Sequence, residues 1–263
     1  AAKNGGYMQL RNAESGEYET FSASDSIDFT SPRRFRVTAQ SGAAYLEYDI
    51  RVNVHKEKAD SFVWRPLLTT NTQIAAMTNL RAVNLDGRML LFGASGSAGT
   101  IMSTQQTDGR TWNKLTTNLP SPSADIAFNI AKQADKLYLY DDGKLYSTYN
   151  ATNWTLVGEP SLRQLIGSDG TRLYAIDASG NICASDDEGN TWTEEDTDNP
   201  NSLLPTQDIS FLTLPSRTNP ADKQLIIIGN RDNATDHAAQ VWGKMQQSDA
   251  SAQQQPWAYY PMT

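Results

Sequence analysis

Short runs of alternating apolar and polar residues, each bounded by turn residues, make up most of the chain. Arg34–Thr38 alternates, and so does Tyr45–Val54, where Tyr48, Ile50, Val52 and Val54 fall on one side. Gln40-Ser41-Gly42-Ala43 between them reads as a turn, and Tyr18–Phe21 as a further strand. Past about residue 60 the alternation is organised in longer units. The clearest is Leu162–Ile166, a Ser168-Asp169-Gly170 turn, Arg172–Ile176, an Asp177–Asn181 turn and Ile182–Ser185, followed by a loop and Trp192. No long segment keeps apolar residues at i, i+3, i+4 and i+7, so the pattern predicts an all-β chain.

Five of the six tryptophans head similar strings: Trp64-Arg-Pro-Leu, Trp112-Asn-Lys-Leu, Trp154-Thr-Leu-Val, Trp192-Thr-Glu-Glu and Trp257-Ala-Tyr-Tyr. Their spacings bracket the roughly 40–50 residues of a four-stranded β-propeller blade. The other units align with the clearest one. Strands are expected at Ala82–Leu85, Met89–Phe92 and Thr100–Ser103; at Ile126–Ile130, Lys136–Tyr140 and Lys144–Ser147; and at Ile209–Leu214, Gln224–Ile228 and Gln240–Met245. Trp64–Leu67 has no inner strands of its own before it, while Trp257 already closes the last unit. The expectation is a partial β-module over residues 1–58, then propeller blades over 59–263: about four blades plus an orphan outer strand, open, and part of a larger propeller.

Charge and composition narrow the chemistry. The formal net charge of −8 disfavours a phosphate backbone, so no nucleic-acid partner is expected. The single cysteine, Cys183, sits in an apolar strand pattern and reads as a small buried hydrophobe. A nucleophilic role would need a positioned histidine, and His55 and His237 fall at unrelated places. No apolar run reaches the roughly 18–20 residues of a membrane span, and the first residues carry no apolar signal core. Neither a cofactor nor a metal site is expected, and the chain is expected to be monomeric.

The loop Ser185-Asp-Asp187-Glu-Gly189-Asn-Thr191-Trp192 fits the pattern S-x-D-x-G-x-T-W at every specified position. Its chemistry reads as structural. Asp187 can accept N–H bonds within its own turn, Gly189 supplies backbone freedom, and Trp192 buries a large ring between sheets. Worn copies precede it. The first keeps Gly109, Thr111 and Trp112, with Gln105 and Thr107 where Ser and Asp belong; the second keeps Ser147 and Trp154.

These residues resemble Asp-box (BNR, sialidase-like) propellers. The stretch Ile27–Pro32, the strand Phe35–Thr38, the Ser41-Gly42 turn and Tyr45–Val54 resemble the end of Ig-like β-sandwich modules. Together they are similar to a family of Bacteroidetes envelope proteins of unknown function. That resemblance implies export to the periplasm or cell surface, with a lipid anchor on a removed N-terminal segment. It also implies a non-catalytic binding role toward a glycan or an envelope protein. The alternative it carries is a sialidase-like glycoside hydrolase. Such enzymes hold the substrate carboxylate with three arginines, the first in an F/Y-R-I-P motif, because guanidinium pairs bidentately with carboxylate. The chain has no such motif, and Phe35-Arg36-Val37-Thr38 lies in the wrong domain. No catalytic residue is assigned.

One set of candidate ligand-binding residues remains. The first strand of each blade is innermost and lines the central channel. The unit alignment puts Arg81, Asp125, Arg163 and Asp208 near the starts of those strands, with alternating sign. Two readings stay open. The four charges pair with one another and staple neighbouring blades, or they form a polar ring that receives a ligand carboxylate or sugar hydroxyls.

Overall fold

The computed structural model describes residues 6–22, 24–53, 71–231, 239–249 and 254–261. The orphan strand expected at Trp64–Leu67, and both histidines, lie outside the described residues. Strand makes up 50% of the structure and helix 4%. The chain divides into two compact units, Ala1–Arg65 and Pro66–Thr263.

The first unit is a four-stranded antiparallel sheet of β1 (Tyr7–Arg11), β2 (Tyr18–Thr20), β3 (Arg33–Thr38) and β4 (Tyr45–Ile50), in the order β2-β1-β3-β4. Gly42, at φ 72°, makes the tight β3–β4 turn. Phe35 is buried, with Phe21 edge-on and Phe29 stacked against it. Across β3 and β4 the opposite charges face each other, Arg34 with Asp49 and Arg36 with Glu47, both at 2.7 Å. Tyr48, Ile50 and Val52, which share one side of the sequence pattern, are exposed. β1 carries no strong alternation and is legible only from its pairing.

The second unit opens with a one-turn helix, α1 (Thr72–Ala75), capped by the Asn71 side chain, which accepts from the N–H groups of Gln73 and Ile74. Four four-stranded antiparallel sheets follow, each in sequence order. The first blade is β5 (Thr78–Leu85), β6 (Arg88–Ser95), β7 (Ala98–Gln105) and β8 (Asn113–Lys114). The second is β9 (Ile130–Gln133), β10 (Lys136–Asp141), β11 (Lys144–Thr148) and β12 (Thr155–Gly158). The third is β13 (Leu162–Ser168), β14 (Leu173–Asp177), β15 (Ile182–Ser185) and β16 (Thr193–Glu194). The fourth is β17 (Gln207–Pro215), β18 (Lys223–Asn230), β19 (Gln240–Gln246) and β20 (Ala258–Tyr260).

Each junction between sheets has its own apolar core. Leu90, Phe92, Ile101, Leu137, Leu139 and Trp154 fill the first; Tyr138, Leu145, Leu165 and Leu173 fill the second, with Trp192 against them; Tyr174, Ile176, Leu225, Ile227, Trp242 and Trp257 fill the third. Full burial of one such side chain contributes about 1.5–3 kcal/mol, so stacking of blades dominates stability. The inner strands pack in series, β9 on β13 and β13 on β17. β17 has no comparable packing on β5.

One expected strand is different. Ile126–Phe128 is a single turn of 3-10 helix packed on β5 and β6, and the inner strand of the second blade starts only at Ile130. Ile126, Ala127 and Ile130 are all buried, so the apolar run satisfies its burial as a turn plus a short strand rather than as one strand.

Candidate ligand cleft

The inner strands do not start regularly. Register shifts lie between Thr78 and Arg81 in β5, Leu162 and Gln164 in β13, and Gln207 and Ser210 in β17. A bulge of this kind re-aims side chains at the rim of a sheet. In β5 and β17 the residue after the first pair, Asn79 or Asp208, is left-handed, at φ 55° and 52°. Asn and Asp tolerate that region better than other non-glycine residues.

The bulges decide where the candidate residues go. Asp125, Arg163 and Asp208 line one cleft of about 370 Å³, together with Phe128, Asn129 and Gln164. Arg81 does not line it. By pairing, Arg81 corresponds to Ser210, and Asn79 is the counterpart of Asp208. The unit alignment that sets Arg81 beside Asp208 is therefore two positions out of step with the strand pairing.

No ion pair joins any two of the four charged residues among the described residues. Hydrogen bonds to neutral acceptors hold the neighbouring blades instead. Gln164 Nε2 donates to the Phe128 carbonyl at 3.0 Å, and the Leu165 N–H to Asn129 Oδ1 at 3.1 Å. Arg163 Nη2 donates to the Pro205 carbonyl at 3.1 Å. Partial desolvation pushes the Arg163 pKa down, opposed by the charge of Asp177. The Asp208 carboxylate accepts one bond, from Asn230 Nδ2 at 3.1 Å. The exposed Asp125 has no side-chain partner among the described residues; its carbonyl accepts from Phe128 N and Asn129 Nδ2. Arg81 is half-buried, and desolvation without a compensating carboxylate depresses its pKa.

The Ser185–Trp192 turn is a closed hydrogen-bond unit. Ser185 Oγ donates to Asp187 Oδ1 at 2.9 Å and accepts from Gly189 N at 2.8 Å. Thr191 donates to Asp187 through its N–H and its hydroxyl, at 2.8 and 2.7 Å. Those two bonds, ahead of all other effects, hold the Asp187 carboxyl below its usual range. Trp192 Nε1 reaches back to the Gly189 carbonyl at 3.1 Å. Lys136 of β10 pairs with Glu188 at 2.7 Å, tying this turn to the preceding blade.

The worn copies keep the backbone while changing the side chains. Trp112 Nε1 bonds the Gly109 carbonyl and Trp154 Nε1 that of Ala151, at 3.0 and 2.9 Å. Gly109, Ala151 and Gly189 are all left-handed. In the first copy Asp108, one residue later than expected, accepts the Thr111 N–H at 2.9 Å. In the second, Thr148 Oγ1 rather than Ser147 is the hub, accepting from Asn150 N and Ala151 N. Among the described residues the buried Trp257 Nε1 has no acceptor.

Comparison with known families settles the kinship. The DUF6242 beta propeller domain matches residues 58–263, and the DUF6242 N-terminal domain, described as a domain of unknown function, matches residues 1–52. The chain belongs to the DUF6242 family. No curated protein matches it. Among solved structures it is similar to PorZ, an essential surface component of the type-IX secretion system of Porphyromonas gingivalis, at 12% identity and a TM-score of 0.39. That alignment covers 94% of this chain and 36% of PorZ, so the chain spans about a third of that protein. YCF48 from Cyanidioschyzon merolae aligns at 14% identity and a TM-score of 0.36, over 71% of this chain and 57% of its own. A protein of unknown function from Bacteroides thetaiotaomicron aligns at 10% and 0.38, over 89% and 76%.

For this DUF6242 propeller, no group of three or more His, Cys, Asp or Glu among the described residues is placed to hold a metal ion. No helix among them is long and apolar enough to cross a membrane. Phe128, Asn129 and Gln164 also line the cleft and carry no periodic signal in the sequence.

Proposed function

We propose that this chain is a non-catalytic, envelope-associated binding propeller that holds a neutral glycan in the cleft at Asp125, Arg163 and Asp208. One observation carries the reading: three charged side chains from three consecutive blades border a single concave site without pairing with one another. Ligand sites are concave, with a few convergent polar groups. A carboxylate accepts hydrogen bonds from neighbouring hydroxyls, and a guanidinium donates to them, each through a planar pair of atoms. The Phe128 ring in the same wall offers an apolar surface to the C–H face of a sugar. With one guanidinium against two carboxylates, the cleft favours a neutral sugar over a sialoside. The Ser185–Trp192 turn is read as a structural Asp-box that stiffens the blade and takes no ligand.

Isothermal titration against a panel of neutral and sialylated oligosaccharides tests this. Neutral glycans should bind, and Asp125→Asn with Asp208→Asn, both at exposed positions, should abolish binding without changing thermal stability. Binding restricted to sialosides, or turnover of a glycoside, would reject the reading.

A further inference from the structure

A second cleft, of about 600 Å³, lies between the third and fourth blades. Asp169, just past the end of β13, and Lys223, paired with the last residue of β17, line it. Arg163 and Asp208 sit at the starts of those same strands. The two clefts are therefore at opposite ends of the inner strands.

Every cation in this second cleft is already engaged. Arg172 Nη1 lies 3.0 Å from Glu195 Oε1 and Arg172 Nε 2.6 Å from Asp186 Oδ1. Lys244 pairs with the other oxygen of the buried Glu195. Lys223 donates to the Asp169 carbonyl at 2.8 Å and lies 3.6 Å from its carboxylate. Among the described residues, Glu194 and Asp196 are exposed carboxylates with no side-chain partner, and the Oε1 atoms of Gln246 and Gln247 are buried in the wall with no donor. A buried acceptor without a donor is costly, and a ligand that supplies the donor recovers that cost. Arg172 Nε, a buried donor with no aligned hydrogen bond, has its charge met by Asp186; the other buried unpartnered side-chain atoms of the described lining are acceptors, and the lining carries five carboxylates against three cations.

We propose that this cleft binds a primary ammonium or guanidinium group, offered by a free polyamine or by a Lys or Arg side chain of a partner protein. A quaternary ammonium is excluded by the same chemistry. It has no N–H to give the orphaned oxygens, and its usual recognition uses aromatic faces, of which the cleft lining has none among the described residues. The inference is independent of the glycan cleft.

The test is calorimetric titration at low salt with three probes: spermidine, an amidated Arg-Lys-Arg tripeptide and choline. Spermidine, the tripeptide or both should bind, choline should not, and the double variant Glu194→Gln, Asp196→Asn should bind about tenfold more weakly. Both changed residues are exposed, so the fold is retained. Binding by the tripeptide alone identifies a protein segment as the source, and binding by spermidine alone a free amine. Arg163→Met should leave all three titrations unchanged, which separates this site from the glycan cleft. Failure of both amines to bind, equal binding of choline, or an unaffected double variant would overturn the proposal.

Discussion

Asn79 and Asp208 hold the same left-handed backbone at matching places in the first and fourth blades, each just after the first pair of an inner strand. Asp208→Asn should therefore keep the fold and weaken glycan binding alone. Asp208→Val, or Asn79→Val, puts a β-branched residue where it is strained and should cost about 1–3 kcal/mol in denaturant unfolding. Equal stability of the Asn and Val variants would show that the bulge relaxes freely.

The Ser185–Trp192 turn should matter for stability and not for binding. Ser185→Ala removes a buried hydroxyl that both donates and accepts, for a loss of about 1–2 kcal/mol. Gly189→Ala meets a φ of 92° and would place a Cβ 2.3 Å from Leu145 Cδ2, so its loss should be larger, about 2–4 kcal/mol. Unfolding curves give both values; a variant that binds glycan more weakly at unchanged stability would contradict the structural role.

The repeat architecture was legible because its signals are local: tryptophans at blade spacing, turn residues at fixed offsets and alternation within each strand. The cleft was only partly legible. Aligning units brings Asp125, Arg163 and Asp208 to the candidate cleft, whereas Arg81 falls two positions from the counterpart of Asp208, because a period-two alternation fits equally well when slid by two residues. The worn turns were misread for a similar reason. Asp108 and Thr148 each sit one residue from the expected place, and hydrogen bonding, not spacing, selects the residue that closes the turn.

Asp169 should set an acid limb of the stability curve. Its burial works to raise the pKa, but N–H bonds from Arg172 and Thr171, the Thr171 hydroxyl and the Lys223 charge outweigh it and hold the carboxyl below its usual value. A lowered folded pKa contributes stability that is fully present above the unfolded carboxylate value of about 3.9 and is lost as pH falls through the folded value. Asp169→Asn should flatten the fall in stability below about pH 4. A parallel fall in variant and wild type would remove Asp169 from the account.

Cys183 should be inert while the chain is folded. Burial first, then the charges of Asp177, Glu195 and Glu194, push its thiol up to about 12. Its Sγ faces the Ala175 carbonyl at 3.6 Å. A chromogenic disulfide reagent at pH 8 should react only after denaturant is added, and rapid labelling of the native protein would contradict its burial.

The most direct test of the glycan cleft is to map a bound neutral oligosaccharide by amide chemical-shift perturbation. The account predicts shifts confined to Asn129, Gln164, Asp208 and their neighbours, with the Ser185–Trp192 turn silent. Shifts centred on that turn, or no perturbation with any neutral glycan, would contradict it.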